Sequence, residues 1–211
     1  FDIDVSVKGE EPKYKLIEKL AVECRMPLCY GGGVRTAKQA RRLIELGLEK
    51  VAVSSSAVLD CNILYEIASS IGSQSVVGVI DVKTKRNLFT KKYSVYTHNG
   101  LYEQDCDPIE LAKRFEQAGA GEIVINDIDN DGLMTGYNIN LASQIKSEVN
   151  IPLTILGGAG SYNDIKILTE RLGLIGAAAG SLFVFKGKYR AVLINYPSKE
   201  TKEEISYILC R

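Results

Sequence analysis

The chain has 211 residues, with 26 basic and 26 acidic side chains and a formal net charge of zero. No global field gathers nucleic acid or an anionic membrane, so any phosphate must be gripped by local groups. Apolar residues at 45% and charged residues at 25% match a globular protein, which excludes disordered, collagen-like and coiled-coil classes and leaves a single domain over 1–211.

The sequence opens on Phe1 rather than Met and runs at once into the strand-like FDIDV, so we expect an N-terminal segment to be missing from it. Short β-branched runs then alternate with stretches of helical period. Strands are predicted at 1–5, 27–30, 50–53, 75–82, 122–126, 152–156 and 175–179. Helices are predicted at 13–23, 37–46, 63–71, 108–118, 140–149 and 163–172, with a helical cap from Ala191 onward. Residues 87–99, NLFTKKYSVYTHN, alternate as a β-hairpin insertion after the fourth of these strands. The apolar stretch 172–185 has 14 residues, too few to span a bilayer. Five cysteines, odd in number and without histidine at zinc spacing, predict plain thiols and a reducing cytoplasm, with no metal and no cofactor.

Sliding the chain on itself by 126 residues lays Gly31-Gly32-Gly33 over Gly157-Gly158-Ala159 and Gly47 over Gly173. Val51-Ala52-Val53 then falls on Ala177-Ala178-Ala179, and Ser54-Ser55 on Gly180-Ser181. Two similar halves of four βα units predict an α/β fold, a (β/α)8 TIM barrel built from two half-barrels. Seven strands are counted. The same offset puts the partner of strand 75–82 before Phe1, so strand 1 and its helix are absent and Phe1 opens strand 2.

In such a barrel the working face is at the strands' C-terminal ends. Two Gly-rich turns there, each beside a serine-bearing turn, predict two phosphate cradles at one mouth, because bare backbone amides approach an anion closely. Asp81 ends the apolar run VVGVI and is expected near the barrel axis, where burial raises a carboxyl toward a useful proton-transfer range. A helix cap or a partner for Lys83 is the competing role. Asp2, Asp4, Asp127, Asp129 and Asp131 are the other acidic residues after strands. The run DIDNDG lacks the twelfth-position Glu of a calcium loop. His98 is expected to be structural or solvated. Lys50 and Glu122 begin their strands and are expected at the bottom of the barrel, as a rim or ion pair.

The segments FDID, MPLCYGGGVRT, EKVAVSSSAV, GSQSVVGVIDVK, AGAGEIVINDIDNDGLMTGYN and GGAGS resemble the HisF family, the cyclase subunits of imidazole glycerol phosphate synthase. The resemblance makes Asp81 one of two acid/base aspartates, the other lying on the absent strand 1. It implies one phosphate site around Asp2, Gly33, Ser54 and Ser55, and another around Asp131, Gly132, Gly158, Gly180 and Ser181. It implies that ammonia from a HisH-like glutaminase on the N-terminal face of the barrel enters past Lys50 and Glu122. The implied substrate is a bis-phosphorylated ribulosyl carboxamide nucleotide, cleaved to imidazole glycerol phosphate and aminoimidazole carboxamide ribotide. Ser54 stands where that family usually carries Asn. Cys29-Tyr30 and the run SLFVFKGKYRAVLINYPS are similar to a branch that supplies ammonia for sugar amidation in surface-polysaccharide synthesis, which stays an alternative. The sister isomerase of histidine biosynthesis is a second.

Overall fold

The computed structural model describes residues 1–86, 91–187 and 189–209. In chain order the elements are α1 (Ile3–Lys8), α2 (Tyr14–Glu23), β1 (Cys29–Gly31), α3 (Ala37–Glu45), β2 (Lys50–Val53), α4 (Ser55–Leu59) and α5 (Asn62–Ile71). There follow β3 (Val76–Arg86), β4 (Lys91–Thr97), β5 (Tyr102–Gln104), α6 (Pro108–Gln117), β6 (Glu122–Asp127), α7 (Ile139–Lys146), β7 (Leu153–Leu156) and α8 (Tyr162–Leu172). The chain continues through β8 (Gly176–Ala177), α9 (Ser181–Val184), β9 (Phe185–Lys186), β10 (Ala191–Val192) and α10 (Lys199–Leu209).

β1, β2, β3, β6, β7 and β8 pair in that order, each parallel to the next. This curled sheet with crossover helices is the α/β architecture of a TIM-type barrel. Residues alternate across it. Val51, Val53, Val76, Ile80, Ile123, Ile125 and Ile155 join the main core under the helices, whereas Ala52, Val77, Val79 and Val124 form a separate buried cluster with Leu156 on the inner face. Parallel sheets covered on both faces read as continuous apolar runs, which is why VAV, VVGVI and EIVI are recognisable as strands.

Local chemistry fixes the helix starts. The Thr36 hydroxyl accepts from Gln39 N at the head of α3, and Asp107 accepts from the Ile109 and Glu110 amides with Pro108 in the first turn of α6. Ser161 and Asp164 cap α8 reciprocally.

Three expectations are corrected. Residues 1–5 are not a strand: only the start is extended, with Asp2 N donating to Gly31 O over 2.7 Å, and the chain turns into α1 at Ile3. An alternating pattern of apolar residues specifies a strand only where a neighbour completes the ladder, and only β2 pairs with β1 among the described strands. β3 extends beyond residue 82 because its outer half pairs antiparallel with β4, Asp81 to Arg86 against Tyr96 to Lys91. β4 in turn pairs with β5, and residues 87–90 of the expected hairpin lie outside the described residues. After Ala191 the chain first forms the β9–β10 ladder, and helix α10 starts only at Lys199, past Pro197.

Candidate functional site

Since the six strands of the main sheet are parallel, the turns after β1 and β7 lie on one rim, together with the ends of β2, β3, β6 and β8. The inner face between them has three layers. At the bottom, Lys50 Nζ donates to Glu122 Oε2 over 2.6 Å, and Thr154 Oγ1 donates to Oε1 over 2.7 Å. The middle layer is the apolar collar Ala52, Val77, Val79, Val124 and Leu156. At the top Asp81, 9% exposed, receives Asn126 Nδ2 at 2.8 Å on Oδ1 and Ser54 Oγ at 3.3 Å on Oδ2.

Burial pushes the Asp81 carboxyl above its usual range, and the hydrogen bonds from Asn126 and Ser54 oppose that rise. Its partners are neutral. Lys83 turns away to Gly100 O, 2.8 Å from its Nζ, and lies over the Tyr96 ring, so the competing pairing of Asp81 with Lys83 does not form. A buried carboxyl with a raised pKa and neutral partners can exchange a proton at the mouth.

The second set of expected phosphate residues comes together. Asp131, Gly132, Gly158, Gly180 and Ser181 line one depression with Gly157, Ala159, Ala178 and Ala179. Its walls need small residues: a Cβ on Gly158, at φ +105°, would lie 2.1 Å from Gly136 O. The first set is arranged differently. A Cβ on Gly33, at φ +67°, would lie 2.4 Å from Val5 Cγ1, so this turn is packed beneath the α1 segment. Asp2 faces Lys13 at 3.2 Å. Ser55 Oγ accepts from the His98 backbone N–H at 2.9 Å, and Ser54 leans toward Asp81. His98 thus meets the rim through its backbone, at the turn following β4.

The other acidic residues have structural contacts. Asp4 faces Lys8 within α1. Asp129 accepts from Thr84 N over 2.7 Å. Asp127, 1% exposed, points to the other face of β6 from Asp81, and its Oδ2 accepts from Asn130 and Asn138 at 2.9 and 3.0 Å. Burial raises its pKa, with Asn138 opposing. Cys24, Cys29, Cys61 and Cys106 are free thiols, and Cys210 lies outside the described residues. Among the described residues no helix is long and apolar enough to cross a membrane.

Sequence reading missed Asn126 and Thr154. Both were within reach of period-two counting: Asn126 follows Glu122 and Val124 on the inner face of β6, and Thr154 shares the inner face of β7 with Leu156. The acidic residues drew attention instead, and a neutral side chain inside an apolar strand carries no charge signal.

Residues 1–190 match the family model described as histidine biosynthesis protein. The chain is 52% identical over 203 residues to "Putative imidazole glycerol phosphate synthase subunit hisF3" of Vibrio vulnificus, spanning 96% of this chain and 77% of the relative. It is 47% identical over 206 residues to "Putative imidazole glycerol phosphate synthase subunit HisF" of Leptospira interrogans, spanning 98% and 80%. It is 37% identical over 190 residues to the imidazole glycerol phosphate synthase subunit HisF of Petrotoga mobilis, spanning 90% and 74%.

Proposed function

The chain belongs to the histidine biosynthesis protein family, and from that premise we propose that it is the cyclase subunit of an imidazole glycerol phosphate synthase. Its substrate is a bis-phosphorylated ribulosyl carboxamide nucleotide. Ammonia adds to the ribulosyl carbonyl, whose oxygen leaves as water, the imidazole ring closes, and a carbon–nitrogen bond breaks to release imidazole glycerol phosphate and aminoimidazole carboxamide ribotide. The observation that carries the reading is Asp81, a buried carboxyl held by Ser54 and Asn126 at the same rim as two Gly-rich turns.

Each step asks something simple of these residues. The lining of Asp131, Gly132, Gly158, Gly180 and Ser181 holds one phosphate with backbone amides and a hydroxyl. The region of Asp2, Gly33, Ser54 and Ser55 holds the other, with Ser55 still free to donate its own proton because it already accepts from His98. Asp81 moves protons between the attacking nitrogen and the carbonyl oxygen, a role worth about 10²–10⁴ in rate.

Ammonia comes from a glutaminase subunit of the HisH type docked at the strands' N-terminal ends, where the Lys50–Glu122 pair forms the gate. The apolar collar above it favours neutral ammonia over ammonium, since carrying a bare charge through an apolar layer is costly. No part of this scheme needs a metal or an organic cofactor, and its setting is the cytoplasm.

The test is to incubate the full-length protein, with its strand 1 aspartate, with an ammonium salt and the ribulosyl substrate and follow loss of substrate absorbance. Turnover that vanishes in Asp81→Asn supports the proposal. Absence of turnover, with binding to a sugar amidotransferase instead, would replace it with the ammonia-supplying accessory role. Isomerisation without ammonia would replace it with the sister isomerase.

A further inference from the structure

Inner-face alternation on β6 stacks Glu122, Val124 and Asn126 from the bottom of the barrel to its mouth. Glu122 belongs to the gate and Val124 to the collar, so Asn126 is the first polar side chain of this strand above the apolar layer. Its Nδ2 donates to Asp81 Oδ1 over 2.8 Å. Its Oδ1 is buried and has no hydrogen-bond partner among the described residues. A buried amide oxygen without a donor is costly, by an amount comparable with a lost hydrogen bond. This one stands where a molecule leaving the collar meets Asp81.

Resting on the cyclase reading above, we propose that Asn126 is a positioning residue with two functions: its amide N–H fixes the Asp81 carboxylate, and its unpartnered Oδ1 receives an N–H of the incoming ammonia. The two ends of one carboxamide then hold base and nucleophile side by side. Ammonia donates one hydrogen bond to Asn126 Oδ1 and presents its lone pair to the substrate carbonyl. As the new C–N bond forms, the π bond of the carbonyl breaks and its electron pair moves to the oxygen, while the nitrogen's surplus proton passes to Asp81 and from there to that oxygen, and no oxidant or further reactant is involved.

The neighbourhood leaves Asp81 dependent on this contact. Ser54 after β2 and Asn126 on β6 are its hydrogen-bonding partners, and Tyr96 on β4 pairs with it in register. Lys83 on its own strand is engaged with Gly100 O. Asp127 faces away, and Lys50 and Glu122 are paired with each other at the far end. Burial raises the Asp81 pKa and the Asn126 bond lowers it, so loss of that bond leaves the proton held more tightly.

The test compares wild type with Asn126→Leu, Asn126→Ser and Asn126→Asp by two measurements. The first is titration of the Asp81 carboxyl carbon by NMR, which needs no turnover. The expected order of pKa is wild type, then Asn126→Leu, then Asn126→Asp, where a like charge is added. The second is ammonium-driven turnover against pH. Asn126→Leu is expected to raise the KM for ammonia about tenfold, the factor of one lost hydrogen bond, and to move the acidic limb to higher pH. An unchanged Asp81 titration overturns the positioning function, and an unchanged ammonia KM overturns the ammonia contact. If Asn126→Leu fails a melting check for folding, Asn126→Ser carries the same comparison. Absence of wild-type turnover with a shifted Asp81 titration would sink the cyclase reading and the ammonia contact while the positioning of Asp81 stands.

Discussion

At the scale of residues, Asp81 is placed where it costs stability. Burial raises its pKa in the folded chain, so the folded state holds that proton more tightly than the unfolded state does. The group's contribution is fully favourable below the unfolded carboxyl value and is lost as pH rises through the folded one. Asp81→Asn removes that loss while keeping the shape. We expect turnover to fall by about 10²–10⁴ and stability at pH 7 to rise, measured by urea unfolding, with the gain shrinking as pH falls. A variant less stable than wild type at pH 7 would mean that the carboxylate is better paired than its two neutral donors suggest.

Gly158 makes the matching case for the proposed phosphate lining. Its φ of +105° and the 2.1 Å approach of a Cβ to Gly136 O predict that Gly158→Ala loses about 1–3 kcal/mol and weakens binding of inorganic phosphate. Calorimetry checks the second effect. Phosphate affinity equal to wild type in a folded variant would remove Gly158 from the site.

At the scale of elements, legibility followed the burial pattern. The strand centres at 51–53 and 123–125 are apolar on both faces, so their sequence alone marks them, and the observed β2 and β6 begin at the expected Lys50 and Glu122. Helix ends with an acceptor at the cap, Thr36, Asp107 and Ser161, fell within a residue of expectation. Residues 1–5 did not, because FDIDV has strand composition but its neighbours let it coil into α1 after Asp2. The extended half of β3 was also hidden, since Lys83 to Arg86 are polar and carry no apolar strand signal, and it is β4 that supplies their ladder. The reciprocal Ser161–Asp164 cap is separable from the site's chemistry: Ser161→Ala should cost about 1 kcal/mol, a fall in melting temperature of about 2–4 °C. No change in melting would show that α8 is held by its packing alone.

At the scale of the molecule, the internal repeat was the most informative feature of the sequence. It predicted paired Gly-rich turns, and the parallel sheet puts both on the rim that also carries Asp81. What it left hidden is the asymmetry between the halves. The turn of Gly157 and Gly158 opens onto a lined depression, whereas Gly33 is packed under Val5 and the Glu10 carbonyl, and Ser54 leans to Asp81. A duplication in sequence records ancestry, and later contacts decide how each copy of a turn is packed.

The proposed gate also belongs to this scale, because Lys50, Glu122 and Thr154 come from three strands. Lys50→Met removes the cation from Glu122 and leaves it the hydrogen bond from Thr154 Oγ1. In the complex with a glutaminase, the ratio of glutamine-driven to ammonium-driven turnover is expected to fall by about tenfold, the factor of one lost charge-assisted hydrogen bond. An unchanged ratio would make the pair a structural rim.

The most direct measurement is a crystal structure of the protein with the bis-phosphorylated ribulosyl substrate bound. One phosphate is expected on the amides of Gly158, Gly180 and Ser181, the other beside Ser55, and the ribulosyl carbonyl between them within reach of Asp81. A substrate bound away from the strand ends, or with its carbonyl remote from Asp81, would contradict this placement.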